Sequence, residues 1–233
     1  MKKSIFLNAA FASAMLLVGQ SVFAAKAGTA GIPSTAQTPV TSTLSAPTNP
    51  NPEPPPGPVD PENPSGNFGI AYRPSAMSFS ETLTKGAMSI GAKTSANAAY
   101  GSTHVGVLDT TYETKGWDLT AQLNWTGNAV PGATIKGTVG TVKENVNDGN
   151  TAFNPATDLV APSVGADAFT TPSSALSIST TSTQSVLKAA EGNVYTGTYD
   201  LELSNISLEI PNGKAVTAGT YNGTINWDLS LNP

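Results

Sequence analysis

The chain has 233 residues, no cysteine, 12% charged residues and a formal net charge of −5. Without cysteine, neither a disulfide framework nor a cysteine-based zinc site is available. With 11 basic against 16 acidic side chains, the chain lacks the Lys and Arg clusters that nucleic-acid phosphates require. The same balance argues against adhesion by charge attraction to anionic wall polymers or lipid headgroups.

Lys2 and Lys3 precede an apolar stretch from Ile5 to Val18, and small residues follow up to Ala24. This order predicts a secretory signal peptide over residues 1–24. A membrane anchor needs about 20 uninterrupted apolar residues, and Asn8, Ser13, Gln20 and Ser21 interrupt this run. Cleavage removes two lysines and no acid, which moves the net charge to −7. No membrane span is expected after cleavage, and the product is expected to be secreted.

Residues 25–66 show no hydrophobic period, and Ala46–Pro64 holds nine prolines in nineteen residues. Proline cannot donate to a sheet or helix, so 25–66 is predicted to be a disordered Pro-rich linker. Its proline run would be an extended polyproline spacer reaching about 55–60 Å. A role as an SH3-type ligand is disfavoured, because such readers are mostly intracellular.

From residue 67 to 233 the pattern is two-fold. Phe68, Ile70 and Tyr72 alternate with small or polar residues, as do Val105 and Val107. Trp117, Leu119, Ala121, Leu123 and Trp125 form one long run. Later runs are Leu176–Ile178, Tyr199–Leu203, Ile206–Ile210 and Tyr221–Leu231. Such alternation reads as half-buried strands, predicting an all-β domain of two packed sheets, sandwich-like with long loops. The phase slips near Asn205, where a bulge is expected. Asn147–Asn150 and Pro211–Lys214 read as turns. A short helical turn is predicted over Gln184–Ala190, and a long surface excursion over Val142–Pro172.

Catalytic chemistry finds little support, and no enzyme activity or cofactor is expected. The "AMSIG" stretch around Ser89 resembles a nucleophile elbow. Its triad needs an acid and then a histidine downstream, yet His104 is the lone histidine and no Asp or Glu lies between it and Ser89. His104 is expected to begin a strand and face solvent. The "NVNDGN" stretch with Asp158 suggests calcium ligands, but the alternating-acid loop ending in Glu is missing, so no metal site is expected. No spacing singles out a glycosidase carboxylate pair. Sequons at Asn124, Asn205 and Asn222 would matter in a eukaryotic secretory pathway.

One repetition stands out. Trp-Asp-Leu occurs at residues 117–119 and again at 227–229, using two of the three tryptophans. In a strand, residues two apart share a face, so each Trp and Leu point together while Asp118 and Asp228 point opposite. The apolar continuation of both faces favours burial of the indoles. Alternatively, the two strands lie side by side as an aromatic platform on which sugar rings stack. The two readings overlap, since a Trp can fix a surface from below while the opposite face binds.

"GNFGIAYRPSAMSF", "VLDTTYETKGWDLTAQL" and "GTYNGTINWDLSLNP" together resemble the WxL domain of surface proteins from low-GC Gram-positive bacteria, over about residues 66–233. The resemblance implies a non-catalytic protein held non-covalently on the cell wall through peptidoglycan or another wall glycan. It carries Trp117, Leu119, Trp227 and Leu229 over as motif residues, and these four with Asp118 and Asp228 within the motifs are the expected peptidoglycan-binding residues. Many members have Arg-Gly before the first motif, where this chain has Thr110–Gly116; Lys115 is a poor substitute for that arginine. No sortase-type sorting sequence is seen before Pro233, so retention is expected from the folded domain or a partner. The alternative is a structural subunit held by a wall- or membrane-anchored companion protein rather than by glycan.

Overall fold

The computed structural model describes residues 37–46, 51–172 and 175–232. The predicted signal peptide lies outside the described residues. Residues 37–43 belong to a unit of their own, exposed and without regular structure, and the folded unit begins at Leu44. Among the described residues no helix is long and apolar enough to cross a membrane.

The alternating segments become strands β1 (Val59–Pro61), β2 (Phe68–Pro74), β3 (Met88–Gly91), β4 (Thr103–Asp109), β5 (Trp117–Thr126) and β6 (Thr134–Asn145). They continue as β7 (Leu159–Val160), β8 (Phe169–Thr170), β9 (Leu176–Ile178), β10 (Gln184–Ala189), β11 (Gly197–Ile210) and β12 (Asn222–Leu231). The larger sheet has the order β1-β2-β4-β11-β6-β7, with β3 also on β11 and β9 on β6. The smaller runs β12-β5-β10-β8. Every pairing among these strands is antiparallel. The result is the expected all-β sandwich.

β11 is the spine of the larger sheet. Tyr199, Leu201 and Leu203 are buried on one side of Asn205 and Ile206, Leu208 and Ile210 on the other, so the parity changes between them. Asn205 absorbs the change in the left-handed region at φ 51°, where the pairing with β6 shifts between Ser204 and Ser207. The expected bulge is therefore what lets both halves of one strand face the same core.

Between the sheets Trp117 sits in a cluster with Phe169, Tyr195 and Tyr199. Its ring centroid lies 6.2, 6.3 and 6.3 Å from theirs. Phe169 and Tyr199 are closer still, at 4.7 Å. Tilted contacts of this kind suit the aromatic quadrupole and add to the burial of large apolar area.

Four expectations change. Gln184–Ala189 is a strand, not a helical turn: Val186, Leu187 and Ala189 are fully buried, and β10 pairs with both β5 and β8. A bulge between Ser185 and Leu187 puts adjacent apolar residues inside, which imitates a helical spacing. The excursion predicted over 142–172 is only partly loop. β6 runs through Asn145, β7 and β8 lie within it, and the Ser163 N–H donates to Glu144 Oε2 at 2.8 Å.

The Pro-rich stretch is not free spacer from residue 51 onward. Pro52 and Pro55 are buried and β1 pairs with β2. Chain this poor in N–H groups borrows donors from the sheet beneath. Asn145 Nδ2 donates to the Glu53 carbonyl at 2.9 Å and Thr103 Oγ1 to the Pro58 carbonyl at 2.8 Å. Arg73 clamps the arm through Asp60 at 3.2 Å and Glu62 at 2.5 Å. His104, expected at the surface, is buried on this outer side of the larger sheet. Its Nδ1 meets Asp200 at 3.0 Å, and the Tyr72 hydroxyl donates to the same carboxylate at 2.9 Å. Burial, and next the Asp200 charge, hold the Tyr72 phenol well above its usual range.

Candidate binding site

The two Trp-Asp-Leu segments are neighbours. β12 pairs with β5 over ten unbroken positions, from Asn222 opposite Thr126 to Leu231 opposite Trp117. Leu229 stands directly across from Leu119, and Trp227 across from Ala121. Trp117 and Trp227 thus share the inner face but are four steps apart, about 13–14 Å along the strands. Two indoles so placed do not form one continuous stacking surface.

They also differ in environment. Trp117 and Leu119 are fully buried, at 0% exposure, whereas Trp227 and Leu229 are half-buried. Two glycines permit the close approach of these strands. A Cβ on Gly116 would run into the Ala189 carbonyl oxygen and the Asn232 side-chain amide. There the Asn232 N–H donates to the Gly116 carbonyl at 2.8 Å. A Cβ on Gly223 would stand 2.8 Å from the Asn124 carbonyl oxygen and 3.0 Å from the Trp125 ring.

The outer face of the same strands is polar. Asp118, Thr120, Gln122 and Asn124 alternate along β5, and Thr224, Asn226, Asp228 and Ser230 are exposed along β12. Asp228 is opposite Thr120 and Ser230 opposite Asp118, which makes the two aspartates diagonal neighbours, about 7 Å apart. Ser185 Oγ donates to Asp118 Oδ1 at 2.6 Å, and Lys188 stands opposite Asp118 from β10. This face offers carboxylates, hydroxyls and amides on an unbroken ladder. Such groups hydrogen-bond hydroxyl, amide and ammonium groups.

Between the sheets on the β12 side lies a groove of about 1650 Å³. Trp125, Ile225 and Trp227 line it from the smaller sheet, and Ile70, Ile90 and Leu208 from the larger. Trp125 meets Tyr221 edge-on at 6.3 Å. Period-two alternation puts Trp125 on the face of Trp117, but the groove itself depends on contacts distant in sequence.

The remaining candidates have structural explanations. Ser89 lies on β3 and donates to Glu209 Oε1 at 2.5 Å. That bond, with one from Ser207, holds the Glu209 carboxyl below its usual range. Asp148 Oδ1 accepts from the N–H groups of Asn150 and Thr151, both at 2.9 Å. Asp158 Oδ2 accepts from Asn147 Nδ2 at 2.9 Å and the Asn154 N–H at 2.8 Å. These carboxylates close their own turn and are held below the usual range by those bonds. Lys115, where many members have an arginine nearby, pairs with exposed Glu113 at 3.1 Å. Asp109, just before that stretch, is buried, and burial pushes its carboxyl up against the opposing bonds from Thr111.

The family model described as WxL domain surface cell wall-binding matches residues 27–233. No curated protein and no solved structure matches the chain.

Proposed function

Since the chain belongs to the WxL domain family of surface cell wall-binding proteins, we propose that it is a secreted, non-catalytic protein held non-covalently on peptidoglycan by the outer face of its smaller sheet. The observation that carries this reading is the unbroken β5–β12 pairing, which sets Asp118 and Asp228 side by side on an open polar surface. On the larger sheet, by contrast, the Pro-rich arm from residue 51 covers the outer side around Thr103 and Asn145 and pairs with β2.

In this reading the motif residues divide their work. Trp117, Leu119, Trp227 and Leu229 fix the two strands from within. Asp118 and Asp228, with the hydroxyl and amide side chains beside them, meet the wall. A strand ladder of pre-positioned donors and acceptors binds without ordering loops, which reduces the entropic cost of association.

The test is co-sedimentation of purified residues 25–233 with isolated walls stripped of protein. Retention supports direct attachment to the wall polymer. Retention only after a companion protein is added supports the alternative of a subunit held by a partner. Zymography on the same walls should show no clearing band.

A further inference from the structure

The geometry points to a second interaction surface, distinct from the polar face and independent of it: the free edge of β12 with its groove receives a single extended strand from a partner protein. β12 pairs only with β5 among the described residues, so ten residues of backbone on its other edge have no strand partner. Natural edge strands are protected by lysines, prolines, bulges or brevity. β12 contains no Lys or Pro, its register is unbroken over ten pairs, and its one charged residue is Asp228.

What lies beside that edge specifies the occupant. Ile70 of β2 and Ile90 of β3, on the larger sheet, line the same groove as Ile225 and Trp227. A strand added to β12 would therefore place alternate side chains on an apolar floor already present, with the others outward. The connection between β2 and β3 lines the groove as well, with Met77 and Phe79 half-buried and Ala76, Ser78 and Ser80 exposed. No backbone hydrogen bond joins that connection to β12 among the described residues; Ser78 instead exchanges two with Lys93, both at 2.8 Å. Since this connection and the one over 216–221 line the groove beside β12, its occupant is a lone extended segment rather than the edge of a second folded sheet.

Charge narrows the partner further. The charged side chains lining the groove are Asp60, Glu62, Glu81 and Arg73, and Arg73 is already engaged by Asp60 and Glu62. Three acids against one base leave the surroundings acidic. The partner strand therefore alternates apolar residues inward with polar, basic residues outward.

The probe is a fluorescein-labelled, end-capped ten-residue peptide in which Val and Ile alternate with Thr and Lys, titrated into residues 25–233. Saturable binding is expected, weakened at least about tenfold by Trp227→Ala, a central aromatic contact. Methylating the backbone nitrogens of one alternate set should weaken binding to wild type by a similar factor, and methylating the other set should not, because a ladder uses every second N–H. That arm needs no protein variant, so it stands even if Trp227→Ala fails to fold. Replacing every peptide Lys with Glu should also weaken binding. Absence of binding, equal binding of a scrambled peptide, equal effects of the two methylated sets, or indifference to Lys→Glu would each overturn the inference. Co-sedimentation with walls does not enter this test, so it fails or succeeds apart from the wall-binding reading.

Discussion

Trp117 and Trp227 occupy equivalent places in their tripeptides and unequal places in the protein. Trp117 joins the two sheets through Phe169, Tyr195 and Tyr199, so Trp117→Ala should cost about 3–5 kcal/mol in denaturant unfolding. Half-buried Trp227 should cost less, about 1–2 kcal/mol on truncation. Equal losses would contradict the division between core and groove. Asp109 gives a pH-dependent counterpart. Its carboxyl is raised by burial, so the folded state holds this proton more tightly than the unfolded state. Its contribution to stability is greatest in acid and declines as pH rises through and above the ordinary carboxylate range. Asn at this position keeps an oxygen to accept from the Thr111 N–H and hydroxyl without the buried charge. The melting temperature of Asp109→Asn relative to wild type should therefore be higher near pH 7 than near pH 3.5, and a difference independent of pH would refute the assignment.

At the scale of elements, the meeting of β5, β10 and β12 depends on Gly116. Its added Cβ would strike backbone of β10 as well as the Asn232 side chain, and backbone cannot step aside as a side chain tip can. Gly116→Ala should destabilise by about 1–3 kcal/mol, with faster amide exchange in the last residues of β12 as the local readout. The strands themselves were largely legible, because period-two alternation survives wherever one face is buried and the other wet. It failed over Gln184–Ala190, where a bulge brings Val186 and Leu187 inward together. It also missed the packing of Pro52–Pro61, because those residues are held by donors from Asn145 and Thr103, far away in sequence. His104 was misplaced for the same reason: its partner Asp200 is 96 residues distant.

At the scale of the molecule, the antiparallel neighbourhood of the two tripeptides could be anticipated, while the unequal burial of their indoles could not. That inequality arises from what packs over each indole. Aromatic rings cap Trp117, and an open groove faces Trp227. The polar face, the buried motif residues and the β12 edge then have separable roles, which allows one measurement to decide the main claim. It compares the affinity of three proteins for stripped walls: wild-type residues 25–233, Asp118→Asn/Asp228→Asn, and Trp227→Ala. The outer-face pair should leave stability within about 0.5 kcal/mol of wild type yet bind walls at least about tenfold more weakly, while folded Trp227→Ala binds as wild type does. Undiminished binding by the double aspartate variant would contradict the account.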